Sequence, residues 1–152
     1  MQQNNWSAAA SLANIYLLGK GIPRNLKNAL YFAKKAAENN NAFGQYLLGN
    51  ILKTHEKDYF AAKHWLEKSA QQGNANAANE LALIYFDGLG ESRNLQQALF
   101  WFMIAEEYNS PEAHQNRMKV QTRVTYEDVL KAQSMARKWL KKYQLANNGS
   151  VP

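Results

Sequence analysis

A chain of 152 residues with 46% hydrophobic and 20% charged side chains has the make-up of one globular domain, which excludes wholesale disorder. It has no cysteine, so disulfides, thiolate metal sites and a cysteine nucleophile are excluded together, and no apolar run approaches the roughly 18 residues of a membrane span. The net charge of +6 is localised: ten Lys or Arg and ten Asp or Glu cancel over residues 1–116, while residues 117–142 carry eight basic side chains against Glu127 and Asp128.

The first predicted element covers Ser7 to Leu18, where Ala8, Leu12, Ile15 and Tyr16 follow helical spacing and Gly19 offers a left-handed stop. A second amphipathic run passes from Leu26 through Leu30, Ala33 and Ala37, capped by Asn25 at its start and followed by Asn40. The pair forms a helical hairpin over about 7–40. Its pattern recurs at an offset of 69 residues: Leu12, Tyr16, Gly19, Gly21, Arg24, Asn25 and Ala29 find counterparts at Leu81, Tyr85, Gly88, Gly90, Arg93, Asn94 and Ala98. A middle copy lies between them, first at an offset of 36 (Leu48, Leu52) and then of 33 (Asp58, Ala62, Trp65, Ala70). Three residues are therefore missing between Leu52 and Asp58, where the outer copies carry Gly-x-Gly. The hairpins span about 7–40, 41–73 and 74–109, with Asn25, Asp58 and Asn94 as caps and Asn40, Gly73 and Asn109 as closing residues.

Each aligned alanine (Ala29, Ala62, Ala98) stands one turn before an aromatic (Phe32, Trp65, Trp101), so a small face admits a neighbouring helix and the ring fills the adjoining gap. Beyond Ser110 the pattern decays. Pro111 fits the first turn of a seventh helix reaching about Thr122, although Arg117 and Gln121 stand where the repeat calls for apolar residues. An eighth helix from Tyr126 to about Leu145 puts Val129, Ala132, Ala136, Trp139 and Tyr143 on one stripe. Lys131, Arg137, Lys138, Lys141 and Lys142 lie around the other side. These two helices, about 111–145, read as the polar cap a solenoid end requires, followed by a frayed tail at 146–152.

The string Ala-x3-Leu-Ala-x2-Tyr-x2-Gly-x-Gly-x4-Leu-x2-Ala-x2-Trp-x3-Ala, from Ala77 to Ala105, resembles the signature of Sel1-like repeats, relatives of tetratricopeptide repeats. Ala9 to Ala36 repeats most of it, and Gly44 to Ala70 is a degenerate copy. The resemblance implies an all-α, right-handed α/α superhelix: three helical hairpins and a C-terminal capping pair, about eight helices in a single domain over 1–152. It also implies a non-catalytic adaptor or scaffold, with no cofactor. In arrays of this kind the first helix of each hairpin lines a concave groove. Carried onto this chain, that geometry implies a partner-binding groove of Ser11, Asn14, Tyr46, Asn50, Lys53, Asn79, Leu83 and Phe86, with Asn116 and Lys119 further along. Asn14 and Asn50 share one repeat position, and a carboxamide has the donors and acceptor to hold an extended peptide backbone. The pair resembles the asparagines of tetratricopeptide carboxylate clamps. Leu83 at the third equivalent position, with Ala10 and Asn79 in place of the clamp lysines, speaks against a carboxylate-terminal ligand.

Other chemistry finds little footing. His55, His64 and His114 lack paired-ligand spacing, so no metal site is expected. Both Gly-x-Gly turns follow helices rather than strands and lack the remaining residues of phosphate-binding loops. No serine sits in a nucleophile elbow. The expected partner is a protein or peptide. An acidic one would suit the basic patch of Lys131, Arg137, Lys138, Lys141 and Lys142, and among members of this type an immunity role against a bacterial toxin is the alternative. Nucleic acid is disfavoured because Trp139 and Tyr143 lie on the apolar stripe, away from the charges; membrane insertion is not expected. The expected state is a monomer. The N-terminus has neither the basic segment nor the continuous apolar stretch of a secretory leader, so the expected compartment is cytoplasmic, or periplasmic if a leader has been removed.

Overall fold

In a computed structural model of the chain, which describes residues 2–148, with side chains over 5–144, the repeat pattern becomes eight α-helices. These are α1 (Gln2–Leu18), α2 (Leu26–Glu38), α3 (Ala42–Ile51), α4 (Tyr59–Gln71), α5 (Ala75–Asp87), α6 (Leu95–Glu107), α7 (Ala113–Gln121) and α8 (Tyr126–Asn148). No strand occurs among the described residues, and the fold is an all-α helical repeat. The chain groups into two compact units, Met1–Ser69 and Ala70–Pro152. Helix α1 begins five residues earlier than the apolar spacing predicts, and α8 extends three residues beyond Leu145. Of the tail expected at 146–152, residues 149–152 lie outside the described residues.

In the first unit α1 packs on α2 and α3, and α2 on α3. The core is built of Ala13, Ala29, Ala33, Ala37, Leu47, Leu48 and Ile51, all 3% exposed or less. Its alanine-rich composition brings helix backbones close, and Gly44 marks the tightest approach: a β-carbon there would lie 2.4 Å from the Ala36 Cβ. The caps follow the sequence. Asn25 Oδ1 accepts from the Asn28 amide at 3.0 Å, and Asp58 Oδ1 from the Ala61 amide at 3.0 Å. Asn41 caps α3 in the same way, accepting from Gly44 at 2.8 Å. Asn40 takes the left-handed φ of 61°.

The clipped middle loop has a specific form. In the outer hairpins the cap residue's amide reaches back to the carbonyl of the aligned tyrosine, Asn25 to Tyr16 at 3.0 Å and Asn94 to Tyr85 at 3.0 Å. In the middle hairpin Asp58 makes the equivalent bond to Leu52, the residue aligned with those tyrosines, at 3.1 Å. The same closure is thus made with three fewer residues. Instead of a Gly-x-Gly loop, Leu52–Glu56 forms one π-helical turn, and Lys57 at φ 58° supplies the reversal. The helix end itself makes the turn, so no separate Gly-x-Gly loop is needed, at the cost of a non-glycine residue in a strained conformation. Arg24, a donor only, bonds His55 Nε2 at 3.1 Å and so ties this turn to the first inter-helix loop.

In the second unit α6 packs on α5, α7 and α8. Its seven buried residues, Ala98, Leu99, Phe100, Trp101, Phe102, Ile104 and Ala105, make it the central helix. Asn74 and Asn94 cap α5 and α6, accepting from Ala77 at 2.9 Å and Gln97 at 3.0 Å. Pro111 stands in the turn before α7 rather than in its first turn. At the start of α8, Thr125 and Asp128 form a reciprocal cap: the Asp128 amide donates to Thr125 Oγ1 at 3.1 Å and the Thr125 amide to Asp128 Oδ2 at 3.0 Å. Hydrogen bonds from Thr125 hold the Asp128 carboxyl below its usual pKa.

The apolar stripe of α8 packs on α6, and its Val129, Ala132 and Ala136 are buried. Trp139 sits among Trp101, Phe100, Tyr108 and Tyr143, with ring centroids 5.5, 6.4, 6.3 and 4.5 Å away. The Tyr108 hydroxyl is buried there with no hydrogen-bond partner among the described residues, and that burial, with the charge of Glu107, pushes its pKa up. The three aligned aromatics are not equivalent. Trp101 is 4% exposed, whereas Phe32 and Trp65 are only half-buried.

Candidate functional site

The residues expected to line a groove lie on α1, α3, α5 and α7, except Lys53, which stands in the π-helical turn after α3. In the first unit, Ser11 on α1 is exposed and Asn14 half-buried; Tyr46 and Asn50 on α3 are half-buried, as is Lys53 in the π-helical turn that follows it. The Asn14 carboxamide has no hydrogen-bond partner among the described residues, and Asn50 Nδ2 makes one long bond, 3.5 Å to the Tyr46 hydroxyl. Both amides retain capacity for a ligand. Sequence reasoning missed the apolar members of these stripes. Ile15 (38% exposed) and Leu18 (52%) share the α1 face by spacing, and Phe43 (38%) stacks on Tyr46 with centroids 6.2 Å apart. Their i, i+3, i+4, i+7 spacing from Ser11 and Asn14, and the i, i+3 spacing of Phe43 and Tyr46, was the available signal.

In the second unit the expected residues divide differently. Asn79 is 8% exposed, and its carboxamide oxygen accepts from Asn116 Nδ2 at 3.3 Å. The two asparagines therefore join α5 to α7. Leu83 is half-buried and Lys119 exposed. Two guanidinium groups approach the Phe86 ring, Arg93 at 5.6 Å and Arg123 at 5.4 Å from its centroid, contacts that stabilise both cations through the ring's quadrupole.

The capping helices explain the polar residues that break the repeat. Arg117, in the place of Leu81, donates from Nε to Glu106 Oε2 at 2.5 Å and from Nη1 to Gln121 Oε1 at 2.6 Å. His114 Nδ1 lies 2.6 Å from Glu106 Oε1. A polar network closes the end of the helix stack where another hairpin's apolar face would otherwise dock. Burial alone would raise the Glu106 carboxyl, but the hydrogen bonds and positive charge of Arg117 and His114 outweigh it and hold the pKa below 4.5. The folded state then binds fewer protons than the unfolded one. Its stabilisation is present above the unfolded carboxylate value and is lost as pH falls through the folded one. Glu106→Gln is expected to lower stability at neutral pH and to flatten the acid limb of the stability curve, measured by urea unfolding across that range. An acid limb identical to the parent's would contradict this.

Beside this network α6, α7 and α8 enclose an open cleft of about 520 Å³, with Met103, Arg117, Ala136, Arg137 and Leu140 among its lining residues. Of the basic patch, Lys131 pairs with Glu127 at 3.1 Å and Lys142 lies 5.1 Å from the Tyr143 ring centroid. Arg137, Lys138 and Lys141 are exposed and make no ion pair among the described residues. No group of His, Asp and Glu able to hold a metal ion occurs among the described residues. No helix there is long and apolar enough to cross a membrane.

The family model described as Sel1 repeat matches three stretches, residues 6–41, 42–74 and 75–105. The chain is 36% identical over 83 residues to an uncharacterised protein of Neisseria meningitidis serogroup B, an alignment covering 53% of this chain and 18% of that protein. Among solved structures, a Sel1 repeat protein from Oxalobacter formigenes superposes with a TM-score of 0.66 at 28% identity, over 76% of this chain and 49% of that one. The protective antigen c5321 of uropathogenic Escherichia coli strains, which displays an SLR fold, superposes with a TM-score of 0.53 at 24% identity, over 93% of this chain and 39% of that one. The chain thus spans about a fifth of the first relative and less than half of each solved structure.

Proposed function

Because the chain belongs to the Sel1 repeat family, whose members typically act as protein-interaction scaffolds, we propose that it is a non-catalytic binding module that takes a protein or peptide partner on its first-helix faces. The observation that carries the reading is the face of the first unit. Asn14 and Asn50, at one repeat position, keep unspent hydrogen-bonding capacity beside the exposed apolar side chains Ile15, Leu18 and Phe43. Amides that can bond a backbone, next to apolar surface that can take a side chain, are what recognition of an extended segment requires. Combining Asn14→Ala with Asn50→Ala is expected to weaken partner binding by about 1 to 3 kcal/mol, measured by calorimetry. Tm should hardly change, because Asn14 makes no hydrogen bond among the described residues and Asn50 only the long one to Tyr46. Unaltered affinity would refute the reading.

A further inference from the structure

We propose that the cleft between α6, α7 and α8 is a second docking site, for an acidic peptide segment that places a carboxylate on Arg137 and an apolar side chain against Met103, Ala136 and Leu140. It stands independently of the first-helix face. Three observations carry it. The cleft, about 520 Å³, is within the size range of clefts that hold ligands. Its walls are mixed in a usable way: Met103, Ala136 and Leu140 give an apolar floor, and Arg137 stands on the same α8 stripe, one turn before Leu140. Arg117 is already committed to Glu106 and Gln121, whereas Arg137 makes no ion pair among the described residues.

The charge around the cleft selects the partner. The whole +6 of the chain resides in residues 117–142, and Lys138 and Lys141 follow Arg137 along α8, both exposed. An acidic segment is attracted by this field and met at its centre by a planar guanidinium suited to a carboxylate. Glu106 and Glu107 of α6 also line the cleft; Glu106 is paired with Arg117 and His114, and Glu107 repels a second carboxylate, so the acid is oriented toward α8. A single-stranded nucleic acid would need exposed rings among the charges, and Trp139 is instead turned into the aromatic cluster on α6.

The test uses the full chain and a short fluorescein-labelled peptide of Glu and Leu, with a Gln-for-Glu version and labelled oligo-dT as comparisons. Arg137→Glu and Lys131→Glu change net charge equally, but Lys131 is already paired with Glu127. Arg137→Glu is expected to weaken the Glu-Leu peptide by about tenfold or more, and Lys131→Glu by less than about twofold. Leu140→Ser is expected to weaken it by about threefold or more through lost apolar contact. The Gln peptide should bind far more weakly than the Glu peptide. Equal losses for the two charge reversals, equal binding of the Gln peptide or of oligo-dT, or no binding of the Glu-Leu peptide to the parent chain would each overturn the proposal.

Discussion

Trp101→Ala is expected to destabilise the fold by about 3 to 5 kcal/mol, measured by urea unfolding of the helical circular-dichroism signal. The indole is 4% exposed and touches Phe100 and Trp139 at centroid distances of 4.8 and 5.5 Å, so its removal leaves a cavity lined by rings that cannot collapse into it. Against a typical stability of about 5 to 15 kcal/mol this is a large share. The aligned changes Phe32→Ala and Trp65→Ala are expected to cost markedly less. Phe32 stacks on Tyr16 at 5.9 Å and Trp65 meets His64 at 5.3 Å, yet both remain half-exposed, so part of each ring is already hydrated in the folded state. Trp139→Ala combined with Trp101→Ala should cost less than the sum of the two single changes, because the rings share one contact. Equal costs at the three aligned positions would show that the capping helix contributes nothing to burial at Trp101.

Gly44→Ala is expected to destabilise by about 1 to 3 kcal/mol, although alanine is the better helix former by roughly 1 kcal/mol. The new methyl would stand 2.4 Å from the Ala36 Cβ and 3.0 Å from the Ala36 carbonyl carbon. Relief requires α2 and α3 to move apart, since neither an alanine methyl nor a backbone atom can rotate away. The aligned Ala8 and Ala77 carry a β-carbon at this repeat position, so the close approach is peculiar to the middle hairpin. A stabilised Gly44→Ala protein would contradict the packing described for α2 and α3.

Much of this architecture was legible in the residues because it is local and repeated. The 69-residue echo and the capping asparagines located the hairpins, and the missing residues before Asp58 located the clipped loop. The form of that loop was not legible: an α-turn and a π-turn need the same side chains, and only the need to bring the Asp58 amide to the Leu52 carbonyl selects the wider one. Burial was legible only in part. Phe32, Trp65 and Trp101 occupy one repeat position, and what separates them is whether a later helix covers the ring. The site followed the same rule. Asn14 and Asn50 keep hydrogen-bonding capacity because, among the described residues, only one long bond from Asn50 to Tyr46 draws on it, whereas Asn79 is taken by Asn116 from 37 residues away, a pairing that no local pattern announces. The role of Arg117 depended likewise on Glu106 from a different helix.

The central claim is that a protein partner is recognised on the first-helix face. The most direct measurement is site-specific photocrosslinking, with the intact chain used first as bait to identify the partner and a photoreactive residue then placed at Tyr46 on α3 or at exposed Lys34 on α2. The account predicts a crosslink from position 46 that is lost when Asn14 and Asn50 are both alanine, and none from position 34. A crosslink from position 34 alone, or one from position 46 that survives the double substitution undiminished, would contradict it.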